Sequence, residues 1–566
     1  MSALKHIYWN VVHGEHEVLL SGLILFILFA LALVFSGADR NRLATSAIFI
    51  AFFIGIVIFF FLSPSGINAY DEGLILAGAQ RILAGEIPSV DFYTNYGPAQ
   101  FYIVAGLLDL FGNSLNVTRL YDSFVAAAIL PASWWLLRDL NLRWEIPAAL
   151  LLVFLLVACY RNPLYPITPV LLFMVVGSQV AIRALTGTWR NAGLVGLAVI
   201  ISVITLFRYD LGLLVVAAFG IPILVVLILN YKSKSITTPQ FLGAIGFALS
   251  AVGLALGVTI GILYWSGMLL PALHDILTYN SANYVEMRSL PFPGFSDWRD
   301  LIASPVVYLP IAASLIGLAL SLFLRHDPDR QLQKEYIAVV VLTSATIFCY
   351  LKGIVRISPI HTLLSDVPAI LLLFVSFSIV KPSFVAKSLL ASKLVSIGGV
   401  LAVCLFATIY GGIAVKRSLF YHQWQHGFVT TGLPTLGVFS TDPDRVAAAH
   451  YIIGITTPTE RILSATGRHD KVFLNDMAFY FLTNRLPATR WHHYDPGVQT
   501  TQDVQQEIIE DLGSRKTKII IVERQWDDVR EPNKSAESSG VFILDKYILQ
   551  NFEPVRNFGS ISIYRR

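Results

Sequence analysis

The sequence predicts a polytopic α-helical membrane protein with a soluble α/β domain at its C-terminal end. Three observations predict this. Only 14% of the 566 residues are charged and 55% are hydrophobic, whereas soluble domains carry roughly 25% charged residues. Apolar runs recur along residues 1–414, and a crossing helix needs roughly 20 mainly apolar residues. Beyond residue 440 the apolar segments become short and alternate with charged ones. The net charge of +4 is spread out with no basic stripe, which excludes nucleic acid as a partner.

The runs at 18–35, 47–62, 117–137, 146–160, 167–185, 192–207, 211–229, 240–264, 304–324, 336–351, 360–380 and 393–414 are read as spans, about twelve in all. Cys159, Cys349 and Cys404 all lie in these runs, as small core residues rather than a disulfide or zinc framework. The loops "GADRNR", "RDLNLRW", "RALTGTWR", "NYKSKS", "RHDPDRQLQK" and "KPSFVAKSLLASK" are cytoplasmic by the positive-inside rule. The alternate loops, 63–116, 161–166, 208–210, 265–303, 352–359 and everything after 414, then face outward. Residues 415–440 read as a linker to the domain at 441–566. In that domain "ERILSAT", "DKVFLND" and "KTKIIIVE" read as strands. "TTQDVQQEIIEDLGS" reads as an amphipathic helix capped near Thr501, and "FEPVRNFGSISIYRR" as a hairpin turning at Asn557–Gly559.

The outer loops hold the chemistry. In "INAYDEGLILAGAQRIL", Ile75, Leu76, Ala79, Ile82 and Leu83 share one helical face, the pattern of an interfacial helix on the bilayer. Asp71 and Glu72 begin it. Asp71 reads either as a plain N-cap or as a catalytic carboxylate whose acidic neighbour raises its pKa. "SVDFYTNYGPAQFY" adds Asp91, Asn95 and Tyr96 among aromatic rings. That suits a carbohydrate, whose faces stack on rings and whose hydroxyls take carboxylates and amides, and equally an interfacial aromatic belt. Arg208 and Asp210 in "TLFRYDLGLL" are the only charges between Arg190 and Lys232, either a hairpin-closing pair or an anion site. Lys352, Arg356 and His361 in "YLKGIVRISPIHTLLSD" place three cationic types on one outer edge, matching a phosphate, a pyrophosphate or an ordinary lipid headgroup. "HDILTYNSANYVEMRSLPFPGFSDW" reads as a second interfacial helix ending before Pro291 and Pro293, with Asp275, Glu286 and Arg288 on it. No metal motif is present, and a divalent ion shared by Asp71 and Asp91 stays open.

"YDEG", "AGAQRILAGEIPSVDFYTNYGPAQFY" and "LLDLFGNSLNVTRLYDSFVAAAILPASWWLLRDL", with Gly112 and Arg119, resemble the GT-C superfamily of membrane glycosyltransferases. Within it, the likeness is to the protein O-mannosyltransferase and lipid A aminoarabinose transferase groups. "GIVRISPIH" resembles a donor-phosphate region, and "YFLTNRLPATRWHHYDPGV" the periplasmic tail domain of bacterial members. An extra leading helix and "YGP" in place of His-Pro-Pro depart from the pattern. The resemblance implies a GT-C-like bundle in a bacterial inner membrane, with its C-terminal domain in the periplasm. It implies transfer of a sugar from a polyprenyl-phosphate donor to a hydroxyl of a glycan, lipid or protein acceptor. Asp71 would be the general base, with Glu72 or Asp91 orienting it or holding the sugar. Arg356, with Arg208, Lys352 or His361, would stabilise the departing phosphate. A flippase for a lipid-linked glycan, a ligase or polymerase using a pyrophosphate-linked donor, and a non-catalytic assembly protein are the rival readings.

Overall fold

A computed structural model describes residues 40–61, 63, 66–140, 152, 155–156, 162–296, 298–324, 334–379 and 431–566. The expected spans 18–35 and 393–414, and nearly all of 146–160, lie outside these residues, as do Cys159 and Cys404. Among the described residues eight helices are long and apolar enough to cross a membrane. They match the expected runs from 117–137 to 360–380 in register, apart from the uncovered 146–160. The chain is an integral membrane protein.

Helix α1 (Arg40–Phe61) leads into the loop region that carries α2 (Asp71–Leu83) and α3 (Ala99–Phe111). The bundle then continues with α4 (Leu115–Asp139), α5 (Ile167–Leu185), α6 (Arg190–Phe207), α7 (Gly212–Lys232) and α8 (Thr238–Trp265). A short pair follows, α9 (Leu269–Asp275) and α10 (Ser281–Arg288), joined by a π turn. The last bundle helices are α11 (Trp298–Leu324), α12 (Lys334–Gly353) and α13 (Pro359–Ile379). Helices α12 and α13 are the most enclosed, while the apolar window of α8 has none of its residues buried. An all-round apolar, unburied helix is one that faces lipid.

The two ends of the bundle differ as the loop charges predict. At one end Asp139 binds Arg183 at 3.1 Å and Lys334 at 2.9 Å, drawing three of the basic loops together. The other end holds α2, α3, α9, α10 and the C-terminal domain. That domain contains α14 (Pro443–Ile455), β1 (Ile462–Thr466), α15 (Ala478–Thr483), α16 (Gln502–Ser514), β2 (Ile519–Glu523), α17 (Ile543–Asn551), β3 (Glu553–Phe558) and β4 (Ile561–Arg565). The sheet order is β1-β2-β4-β3, with β1 parallel to β2 and the other pairs antiparallel. Strands β1 and β2 are buried along their whole length, as their unbroken apolar sequence requires of a covered parallel pair.

Three expectations need correction. "DKVFLND" is not a strand. Asp470 binds Arg468, Asp476 binds Arg445, and Asn475 Nδ2 donates to the carbonyls of Ser464 and His492. Side chains that bond locally to backbone compete with a sheet ladder. Helix α2 does not lie on the bilayer: Leu74, Ile75, Leu76, Ala77, Ala79 and Arg81 are wholly buried, because α3 covers one side and α15 another. At Gly73 a Cβ would sit 2.8 Å from the Ala478 amide nitrogen, so only glycine lets α15 come this close. The described part of the expected linker, 431–440, is packed, with Leu433, Leu436 and Phe439 buried. Its Thr435 carbonyl accepts from the Leu115 amide at 2.8 Å.

Candidate active site

Asp71 opens α2, yet its carboxylate does not cap the helix. The Gly73 and Leu74 amides, which a capping Asp71 would take, bond the Asn68 and Tyr70 carbonyls at 3.0 and 2.7 Å, and Asn68 Oδ1 accepts from the Tyr70 and Asp71 amides at 2.9 and 3.0 Å. The Asp71 carboxylate is therefore left for other work. It accepts from Asn162 Nδ2 at 2.6 Å and from the Tyr96 hydroxyl at 3.3 Å, and it keeps part of its surface accessible. Burial pushes its pKa up to about 6, against the pull of the Tyr96 hydrogen bond and the Arg288 and Arg208 charges. A carboxylate tuned to that range suits a general base near neutral pH. The acidic-neighbour explanation does not apply, because Glu72 points elsewhere. Its oxygens lie 2.5 and 2.7 Å from Arg119 Nε and Nη2, both side chains wholly buried. Arg119 also bonds Ser63 and the Gly66 carbonyl at 3.1 Å. Glu72 thus anchors the turn before α2 to α4 and does not face the reacting space.

The expected cations converge. Arg208 forms a bidentate pair with Asp210 at 2.9 and 2.7 Å while its guanidinium lies 4.7 Å from the Tyr96 ring centre. That joins both readings, since the hairpin pair also brings a cation over a ring that bonds Asp71. Lys352 ends α12 and His361 begins α13, the latter with Nδ1 2.6 Å from Ser358 Oγ. The charges of Lys352, Arg356, Arg208 and Arg288 all reach His361, so these groups share one end of the bundle. Arg356 is bound in a bidentate manner by Glu531 of the C-terminal domain at 2.8 and 2.6 Å, and its Nη1 donates to the Arg288 carbonyl at 3.1 Å.

Asn95 and Tyr96 reach this region and Asp91 does not. Asn95 Nδ2 donates to Asp495 at 3.2 Å, and its own Oδ1 is buried without a hydrogen bond. Asp91 sits in an exposed turn, accepting from the Ile87 amide at 2.7 Å. Its carbonyl is bound by Arg81, ten residues along α2 from Asp71, a separation of roughly 15 Å at helical rise. An ion shared by Asp71 and Asp91 therefore does not fit this geometry. Among the described residues no three His, Cys, Asp or Glu side chains gather as a metal site.

Several participants were not singled out from the sequence. Asn162 follows an apolar run and looked like an ordinary loop residue. Tyr70 donates to Asp495 at 2.5 Å, lies 2.7 Å from His493 Nε2 and receives Arg288 Nη2 at 3.1 Å. Arg288 binds Asp495 directly at 2.6 Å. Burial alone would raise the Asp495 carboxyl, but His493 and Arg288 outweigh it and hold the group below the usual carboxylate range. The charged Asp495 thus ties the C-terminal domain to the residue before Asp71, to Asn95 and to α10. The one signal for it was the dense polar string "RWHHYDPG", with two histidines, an arginine and an aspartate in eight residues.

No family model and no curated protein sequence matches the chain. Solved structures do resemble it. ArnT from Cupriavidus metallidurans in the apo state superposes with a TM-score of 0.50 at 13% identity, over 92% of this chain and 98% of that one. The same protein bound to undecaprenyl phosphate gives 0.49 at 14% identity over the same shares. The Archaeoglobus fulgidus oligosaccharyltransferase, in complex with Zn and sulfate, gives 0.43 at 11%, over 84% of this chain and 68% of that one. At such identities the likeness concerns the fold. The GT-C-like bundle with a C-terminal α/β domain, expected from the sequence, is the fold found.

Proposed function

We propose that this protein is a membrane glycosyltransferase that moves a sugar from a polyprenyl-phosphate donor to an acceptor hydroxyl. One observation carries the reading. A largely buried but partly accessible Asp71, its pKa pushed up to about 6 by burial, shares a bundle end with Arg208, Lys352, Arg356, His361 and Arg288. A base and a separate anion site are the two parts such a transfer needs. Asp71 takes the proton of the acceptor hydroxyl as its oxygen bonds to the anomeric carbon. The bond from that carbon to the phosphate oxygen breaks, and its electron pair leaves with the lipid phosphate. The cations stabilise the charge that develops there, so no acid is required. In this reading Asn95 and Tyr96 contact the sugar, supported by the buried Asn95 Oδ1 that lacks a hydrogen bond and by the Tyr96 hydroxyl that reaches Asp71.

Glu531 engages the Arg356 fork as a phosphate would, two oxygens on two nitrogens. Donor binding displaces it. The fold shared with ArnT supports the same class of enzyme. The gathering of basic loops at the opposite end supports a site facing away from the cytoplasm; in this reading the membrane is a bacterial inner membrane and the α/β domain lies in the periplasm. The number of cations also suits a pyrophosphate-linked donor. The test is transfer from lipid-linked sugars by the protein in proteoliposomes, with mono- and diphosphate donors compared. Turnover on the monophosphate that Asp71→Asn abolishes supports the reading. Turnover on the diphosphate alone selects the ligase or polymerase. Equal turnover by Asp71→Asn sinks the assignment of the base.

A further inference from the structure

The C-terminal domain has a second concentration of positive charge, remote from Asp71. A cavity of about 490 Å³ opens at the starting ends of β1 and β2, lined by Glu460, Arg461, Arg515, Lys516, Thr517 and Lys518, among others. Four cations face it against one carboxylate. Glu460 is spent on Lys518 at 2.6 Å and on the Thr457 amide at 2.8 Å. Arg461 pairs with Glu86 at 2.6 Å, which fixes the cavity wall to the loop after α2. Arg515 and Lys516 are exposed and have no ion pair among the described residues. Lys516 has a left-handed backbone, φ 49°, a conformation that costs a non-glycine residue free energy. Thr517 lies between these cations, 2% exposed, and its Oγ1 is buried without a hydrogen-bond partner. A buried hydroxyl normally has one.

The charges partly offset the carbonyl end of α16, whose last turn they follow. That role needs neither a concave wall nor an unsatisfied hydroxyl beneath it. We propose that this cavity binds a phosphoryl group, borne by a glycan or by a lipid headgroup, at a site separate from the Asp71 recess. Phosphate matches the donor set: clustered cations supply charge-assisted bonds, and Thr517 supplies a neutral donor once the hydroxyl turns inward. The Arg461–Glu86 contact sets the site at the far end of α2 from Asp71, roughly 20 Å away by helical rise. At that distance it does not serve the leaving phosphate.

The test is binding of inorganic phosphate to the full-length protein in neutral detergent, by titration calorimetry at low salt. The variants are Arg515→Gln/Lys516→Gln, on exposed side chains, and Arg356→Ala. The expected result is that the double variant loses one class of phosphate site, with affinity falling at least about tenfold, while Arg356→Ala retains that class. Nanodiscs distinguish the two sources. Phosphate displaced by phosphatidylglycerol, and not by phosphatidylcholine, makes the natural ligand a lipid headgroup. Phosphate retained on both makes it a soluble phosphorylated glycan. Phosphate binding unchanged in the double variant, or absent from folded wild-type protein, overturns the proposal. Neither result bears on the Asp71 reading, which rests on Arg356-dependent donor binding and on turnover.

Discussion

Replacing Asp71 with Asn separates chemistry from stability, and the structure sets the size of each effect. Burial pushes the folded Asp71 carboxyl up to about 6, above the ordinary carboxylate value of about 3.9. That rise corresponds to about 3 kcal/mol by which folding disfavours the charged form relative to the unfolded chain. The raised value means the folded state holds the proton more tightly than the unfolded chain does. This group's stabilisation is therefore complete below about pH 4 and is lost as pH rises through about 6. Asn cannot ionise, but it can still accept from Asn162. Thermal unfolding of both proteins in detergent across pH 4 to 8 should show the variant gaining on the wild type as pH rises to about 6, then a constant difference. In the opposite sense, transfer should fall by about 10²–10⁴-fold in the variant. Wild-type kcat/KM should drop below about pH 6 as the base is protonated. A flat stability difference, or an acid limb near pH 4, would refute the claim that burial tunes Asp71.

Four further outcomes follow. Glu72→Gln leaves Arg119 buried without its charge partner and should cost about 3–5 kcal/mol, read as a lowered Tm, with Glu72→Gln/Arg119→Met recovering part of it. At Gly97 a Cβ would lie 2.1 Å from the Leu206 carbonyl oxygen, so Gly97→Ala should destabilise by about 1–3 kcal/mol and displace Tyr96, checked by Tm and by donor KM. Glu531→Gln weakens the carboxylate's hold on Arg356 and should tighten donor binding severalfold, whereas Arg356→Ala should weaken it; equal affinities would show that Glu531 does not compete. Asp495→Asn weakens its pairing with Arg288, and also its hydrogen bond from Tyr70. It should lower kcat more than it raises donor KM, measured by initial rates.

The bundle was legible because lipid imposes a long apolar run on every crossing helix, a constraint each segment shows by itself. That Asp71, Arg208, Arg356 and His361 gather at one end of the bundle was legible for the matching reason, since charges at the edge of such runs are few and costly. The partners were not. Glu72 meets Arg119 across 47 residues of chain, and Tyr70 meets Asp495 across 425, separations at which no local spacing rule operates. Helix α2 misled for a physical reason. Its apolar face has the look of an interfacial helix, but a domain more than 390 residues downstream covers it and buries Arg81 at the same time. Asp91 failed because an acidic residue near a turn looks the same whether it faces a substrate or caps the amide of Ile87.

The most direct test of the central claim is thermal unfolding of detergent-solubilised protein with and without polyprenyl phosphate, for wild type, Asp71→Asn and Lys352→Gln. A ligand at a hundred times its dissociation constant stabilises by about 2.7 kcal/mol. The account predicts that gain in wild type and in Asp71→Asn, and its loss in Lys352→Gln, because the lipid phosphate and the acceptor proton are handled by different groups. No gain in any of the three, all of them folded, would contradict a lipid-phosphate donor.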